Sequence, residues 1–292
     1  MKEMNNKTRP DFALPFMAFL LAVSFSCTER IDIELDGTYK RCVIFGYITT
    51  DTTTHKVTIT STGDYFNNIP PQGISNAMVQ ISDGENVFDL TEDISHPGTY
   101  YTDSTVYGIP GRTYTLFVDN VDLLGDGILK TYSASSELKA VADPDSIRVF
   151  FRPEWMGWVV QAFAQDPTDT KDFYQFLVWV NGDLHTDSLR NMIYTDDTFF
   201  NGNYTNGIEI YYFPPDEGIA PGDTITVGFC GITEDYYKYL VEAQTTSRPS
   251  VPLFSAPPAN PRTNLNNDAI GFFTAFSVSR VNSRARDFAP LN

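Results

Sequence analysis

Residues 77–118 read AMVQISDGENVFDLTEDISHPGTYYTDSTVYGIPGRTYTLFV. Four short runs in this stretch, 77–82, 87–90, 99–102 and 113–118, favour strands, and Gly, Pro, Asn or Asp separates each from the next. Those separators end regular structure because Gly takes positive φ freely, Pro lacks a donor, and Asn and Asp bond their own backbone. Asp83-Gly84 has the chemistry of a tight hairpin turn between the first two runs. Further runs precede the stretch at 42–49 and 56–61, and another follows at 132–136. In Lys56-Val57-Thr58-Ile59-Thr60 the apolar residues alternate with polar ones, the period of a half-buried strand. Seven short strands in roughly 100 residues predict a β-sandwich of the immunoglobulin-like kind.

The chain beyond continues in the same style. Ala142-Asp143-Pro144-Asp145 has the composition of a hinge, and strand-like runs follow at 146–151, 158–165, 173–180, 208–213, 224–229 and 270–279. One segment has helical periodicity instead. Thr233 is placed to cap it, Glu234 and Asp235 suit the positive end of the helix dipole, and Tyr236, Tyr237, Leu240, Val241 and Gln244 share a face before Pro249. The expected organisation is all-β: a sandwich over 41–141 and a second over 145–292, the latter with one short helix near 234–246. Pro110-Gly111 and Pro221-Gly222 each feed an alternating strand, a local echo between the halves.

The first residues carry Lys2, Lys7 and Arg9, and then 12–25 (FALPFMAFLLAVSF) is uncharged. That run has the length of a signal-peptide apolar region and is shorter than the roughly 20 residues a spanning helix needs. It ends at Ser26-Cys27, which resembles a bacterial lipobox, although Ser24 stands where Leu is usual. The expectation is a signal peptide over 1–26, an acylated Cys27 as the new N-terminus, and an acidic linker over 27–40. Glu29, Asp32, Glu34 and Asp36 behind Cys27 resemble the surface-export signal of Bacteroidota lipoproteins. Outer-membrane attachment facing the cell exterior is therefore expected.

Net charge is −17, which repels phosphate backbones and argues against nucleic-acid binding. Cys42 and Cys230 lie in apolar strand-like runs. Export would permit a disulfide between them, while burial as two free thiols is the ordinary state of such residues. His55, His96 and His185 are isolated in polar stretches and are expected to be loop histidines. Asp119, Asp122 and Asp126 with Gly125 and Gly127 miss the EF-hand spacing and are expected to form a solvated turn, so no metal or cofactor site is expected. Asp followed by Ser or Thr at Asp51, Asp103, Asp145, Asp187 and Asp223 resembles a Bacteroidota O-glycosylation pattern, or serves as turn chemistry at strand starts. Aromatics are the notable excess. Trp155 and Trp158 flank a turn, and Tyr194, Phe199, Phe200 and Tyr204 stud a polar stretch. Of these, Trp155, Trp158, Tyr194, Phe199 and Tyr204 are the candidate ligand-binding residues; the alternative is that they fill the core.

The order from Ala77 to Val118 resembles the regulatory-type β-sandwich attached to carboxypeptidases. The wider layout is similar to a Bacteroidota lipoprotein family catalogued as domain of unknown function 4249. Carrying that resemblance, besides the Ala77 stretch, are Val43-Ile44-Phe45-Gly46-Tyr47-Ile48-Thr49, the helix after Thr233, Pro257-Pro258-Ala259-Asn260, Thr263-Asn264 and Gly271-Phe272-Phe273. A Gly-rich step would be expected before the last strand, and Asn266-Asn267-Asp268 stands there instead. The resemblance implies an outer-membrane lipoprotein encoded beside a TonB-dependent transporter. It implies no activity and no established binding residues. The first functional expectation is thus a non-enzymatic accessory partner of such a transporter in nutrient capture. A free-standing glycan- or peptide-binding or adhesion lipoprotein comes second, and a hydrolase last.

Overall fold

In strand β1 (Cys42–Thr49) the side chains of Cys42, Ile44 and Ile48 point inward and those of Phe45 and Tyr47 point out, because successive residues of a strand face opposite ways. The computed structural model describes residues 40–63, 70–247 and 260–286. The leader 1–26, Cys27 and the linker up to Tyr39, Pro249 and the Pro257–Ala259 run lie outside the described residues.

The first core repeats the β1 pattern. Strands β2 (Lys56–Ser61), β3 (Met78–Ser82), β4 (Val87–Glu92), β5 (Thr99–Tyr101), β6 (Thr113–Asp122) and β7 (Leu129–Glu137) follow. Val57, Ile59, Val79, Ile81, Tyr100, Tyr114, Leu116, Val118 and Tyr132 fill the interior. The sheet runs β1-β2-β5-β4-β3-β6-β7 and curls until Ser136 Oγ of β7 accepts from the Ala275 N–H of the last strand. The Asp83-Gly84 hairpin is present as a four-residue loop in which Asp83 Oδ1 accepts from the Glu85 and Asn86 N–H groups.

The second half contributes β8 (Ser146–Arg152), β9 (Gly157–Phe163), β10 (Phe173–Val180), β11 (Asp183–Leu184), β12 (Ile193–Asp196), β13 (Ile208–Phe213), β14 (Thr224–Ile232), helix α1 (Glu234–Ser247) and β15 (Ile270–Arg284). A three-stranded sheet, β13-β9-β8, faces the sheet of β10, β14 and β15, and Val149, Val160, Phe176, Val227 and Phe229 pack between them. Helix α1 covers the other face, where Leu240 meets Phe173, Cys230, Ile232 and Phe276. Strand β14 is apolar on both faces for this reason, like any strand covered on both sides. Thr233 caps the helix as expected, its Oγ1 accepting from Tyr236 N–H at 3.3 Å. Among the described residues the protein is thus all-β, with two β-sandwich cores and one α-helix, in the C-terminal half.

The last strand belongs to both cores. Its first half pairs in parallel with β1, from Val43 opposite Ile270 to Thr49 opposite Phe276, and its second half pairs antiparallel with β14. Phe273 and Ala275 fill the first core while Val281 packs on the second. The sequence assigns this strand to the second half; the first sandwich closes only when it arrives from far along the chain.

Asn266-Asn267-Asp268, standing where glycines were expected, provides the turn into β15. Asn267 and Asp268 take φ of 52° and 64°, the left-handed region that Asn and Asp tolerate better than other residues with side chains. Their side chains then do work glycine could not. Asn267 Nδ2 donates to Thr131 O and Asn266 Oδ1 accepts from Ser133 N–H, which seals the edge of β7.

Cys42 and Cys230 are free and buried. The Pro-Gly echo is real locally: Gly111 and Gly222 have φ of 86° and 96°, and each donates its N–H to a distant strand end, Leu138 O and Ala285 O. One histidine departs from expectation. His55 is fully buried, with Nδ1 accepting from Thr49 N–H and Nε2 donating to Val106 O. Tertiary packing encloses this otherwise polar stretch.

Candidate functional site

The five candidate aromatics do not converge. Trp158 lies on β9, buried edge-on against Phe151 in the second core, so it is closed to a surface ligand. Tyr194 is in β12 rather than a loop, with its hydroxyl on Gln244 of α1 and its ring against Tyr237. Phe199 is 96% exposed in the loop after β12. Tyr204 bridges Gln165, just beyond the β9 end that pairs with Ser146, and its hydroxyl bonds Asp145. Trp155 lies on the turn at the opposite end of the β8–β9 hairpin. Seven residue pairs separate the two ends, a distance of about 20 Å at roughly 3.3 Å per residue.

Trp155 is held by contacts from both β8 and β13. Arg152 and Gly157 close the hairpin, and the turn between them is fixed by Trp155 N–H to Arg152 O at 3.1 Å and Met156 N–H to Pro153 O at 3.2 Å. Met156 has φ of 56°, unusual for a bulky residue and a form of local strain that clusters at functional positions. The Arg152 guanidinium lies 4.1 Å from the Trp155 ring centroid and 5.6 Å from that of Phe150, while Nη1 donates to Glu209 Oε2 at 3.2 Å. Tyr212 of β13 stands edge-on to the indole with centroids 5.8 Å apart, and its hydroxyl donates to Trp155 O. Tyr212 can cross the hairpin there only because residue 157 is glycine. A Cβ at Gly157 would lie 2.5 Å from both Tyr212 Oη and Phe213 O.

The result is an indole about half exposed whose ring, backbone and neighbours are already fixed. Such a side chain contributes contact area with little entropy left to lose, as interface anchors do. Met156 beside it is also exposed. Sequence reasoning found Trp155 from its turn context; it missed Arg152 of β8 and Glu209 and Tyr212 of β13, which carry no local signal.

A second polar feature escaped the sequence reading. Carboxylate oxygens of Asp166, Asp172 and Asp197 lie within 4.8 Å of one another. Clustered oxygens of this kind suit a hard cation. Here protein donors already serve each residue: Tyr174 Oη and Gly202 N–H bond Asp166, Asp172 N–H bonds Asp197, and Thr170 Oγ1 bonds Asp172. The cluster clasps the loops before β10 and after β12. Burial, and then the charges of Asp166 and Asp197, push the Asp172 carboxyl above its ordinary value. The Asp122 loop is likewise an internal turn, its carboxylate accepting from the Gly125, Asp126 and Gly127 N–H groups. Asp103 and Asp223 similarly serve as turn acceptors, for Thr105 N–H and Ala220 N–H. His185 pairs with Glu217 at 2.9 Å, and His96 with Asp93 at 2.8 Å.

These features define a two-sandwich β protein whose second sandwich presents a fixed, half-exposed tryptophan at one tip. The model of the family described as Domain of unknown function (DUF4249) matches residues 28–281, and the chain belongs to that family. No curated protein matches the chain.

Proposed function

We propose that this chain is a non-enzymatic outer-membrane lipoprotein, anchored through Cys27 and facing outward, that acts as an accessory partner of a TonB-dependent transporter in nutrient capture. The observation that carries the reading is the fixed, half-exposed Trp155 at the end of the fold opposite to the start of β1. β15 starts beside β1 and ends beside β14, and Arg286 just beyond it meets Phe151, next to the Trp155 turn. At roughly 3.3 Å per residue its 15 residues put about 50 Å between the two ends. A fixed, exposed indole at one end of the fold suits recognition. Purification of tagged full-length protein from detergent-solubilised outer membranes tests the reading. A transporter should co-purify with it and be lost with Trp155→Ala; recovery without any transporter overturns the proposal.

The second reading, a free-standing glycan- or peptide-binding lipoprotein, draws on the same indole, since a fixed exposed ring also stacks on sugars. A glycan array showing binding that Trp155→Ala abolishes, with no transporter recovered, would favour it.

A further inference from the structure

Strand β8 puts Ile147 and Val149 into the second core, so Arg148 and Phe150 face the other way, out of the sandwich. Just past β15, Arg286 pairs in parallel with Phe150: its N–H donates to Val149 O and its carbonyl accepts from Phe151 N–H, both at 3.2 Å. Residues paired across a sheet share a face, so the Arg286 side chain leaves on the side of Arg148. Between the edge of β8 and the end of β15 lies a groove of about 370 Å³, lined in part by Ser146, Ile147, Arg148, Phe163, Ser283 and Arg286. That volume is in the range of small-molecule sites and is more than a bare inorganic ion fills.

The two arginines set the chemistry of the groove. With 37 acidic residues against 20 Lys and Arg, an arginine that meets no carboxylate is the exception in this chain. Arg41, Arg112, Arg152, Arg262 and Arg280 each pair with one. Arg148 and Arg286 line the same groove and pair with none among the described residues. Arg148 is also oriented. Its guanidinium carbon lies 5.3 Å from the Phe163 ring centroid, a stacking contact that holds the plane and leaves the N–H edge open to an acceptor. The alternation that turns Val149 O and Phe151 N–H away from β9 turns the Ile147 N–H the same way, toward the groove. Guanidinium forks beside a backbone donor recognise a carboxylate by paired N–H···O bonds. The net charge of −17 repels a polyanion and weighs less on a single negative charge.

We infer that this groove binds a small organic carboxylate, with Arg148 and Arg286 holding the charged group and the rest of the molecule lying along the edge of β8. This goes beyond the proposed function. It needs neither acylation of Cys27 nor a transporter, and Arg152, Glu209 and Tyr212, which hold Trp155, do not line the groove. The carboxylate has two plausible sources, a sugar acid and the C-terminus of a short peptide.

Isothermal titration calorimetry of the detergent-solubilised full-length protein, at fixed ionic strength, tests it. Glucuronate and N-acetyl-alanyl-alanine are the two carboxylate probes; methyl glucoside and the peptide amide are their neutral counterparts. At least one carboxylate should bind while its neutral counterpart does not, and the one that binds separates sugar acid from peptide terminus. Arg148→Gln and Arg286→Gln should each weaken that binding at least about tenfold. Arg148→Lys, which keeps the charge and loses the fork, should fall between. Arg190→Gln makes the same change in charge at an exposed residue outside the groove and should leave binding unchanged. Arg286 is exposed and lies beyond the last strand, so its variant decides the matter if Arg148→Gln fails to fold. No binding of either carboxylate overturns the inference, as does equal binding by all variants. Equal binding of inorganic sulfate would mean an adventitious ion only, with the same consequence. Binding seen only after removal of residues 287–292 would mean that the chain's own end fills the groove, and this too overturns it.

Discussion

Tyr212 Oη donates a 2.6 Å hydrogen bond to the carbonyl of Trp155, and the two rings stand at 83° to one another. A residue of β13 thereby fixes the turn between β8 and β9, and fixed exposed tryptophans are the usual anchors of interfaces. Trp155→Ala should weaken partner binding by about 2 kcal/mol, near thirtyfold, while changing the melting temperature little. Tyr212→Phe keeps the ring and loses the hydrogen bond, so an intermediate loss is expected. Surface plasmon resonance against the co-purified partner reads both, and equal affinity for all three forms would remove Trp155 from the contact.

Gly271 takes φ of 109° where β15 first meets β1, and a Cβ there would lie 2.0 Å from Ile44 O. The atoms it would meet, Ile44 O, C and N, are all backbone. Gly271→Ala should cost about 3 kcal/mol from strain and overlap together, seen as a fall of roughly 6–12 °C in melting temperature. Gly84→Ala, in an open turn with nothing within 4 Å of the added Cβ, should cost less. Differential scanning calorimetry of both variants checks the ranking.

His55 is enclosed in its neutral form. Burial lowers its pKa, and the Val106 carbonyl and the Asp51 charge only partly oppose that. An unfolded chain takes up this proton near the ordinary value of 6.5, whereas the folded chain does so only at lower pH. The contribution to stability is therefore complete above about 6.5 and shrinks as pH falls toward the lowered folded value. Urea titrations between pH 7.5 and 5 should show stability declining on the acid side, with a shallower decline in His55→Gln. An equal slope in both forms would mean that His55 is not the group responsible.

Asp172 behaves in the opposite sense. Burial and the nearby Asp166 and Asp197 charges raise its pKa above the usual 3.8. The ionised form is penalised in the fold, so stability should fall as pH rises through the raised value. Asp172→Asn keeps an acceptor for Thr170 and removes the charge. It should be more stable than the parent at pH 7, with the gap narrowing toward pH 4. A variant less stable at pH 7 would indicate that the carboxylate makes a net favourable contribution to the loop clasp.

Much of the fold was legible because strand periodicity and turn chemistry are local. The runs at 42–49, 56–61, 173–180 and 208–213 match their strands, and Thr233 caps α1. β12 was hidden because its residues are neither strictly alternating nor strongly apolar, and it exists by pairing with β10. The candidate site was only partly legible: Trp155 carries a turn signature, but whether an aromatic is displayed or buried is decided by what packs on it. Trp158, three residues on, lies inside the core.

By itself the sequence determined the β class, the positions of most strands, the helix after Thr233 and the family pattern, since each is written in spacings of a few residues. Tertiary structure alone decided that β15 serves both sandwiches, that Asn267 and Asp268 stand in for glycine, that His55 is buried, and that Arg152, Glu209 and Tyr212 gather round Trp155. Each of these joins residues brought together by strand pairing or packing. Local periodicity fixes which way a side chain faces along its own strand, not which distant segment arrives to meet it.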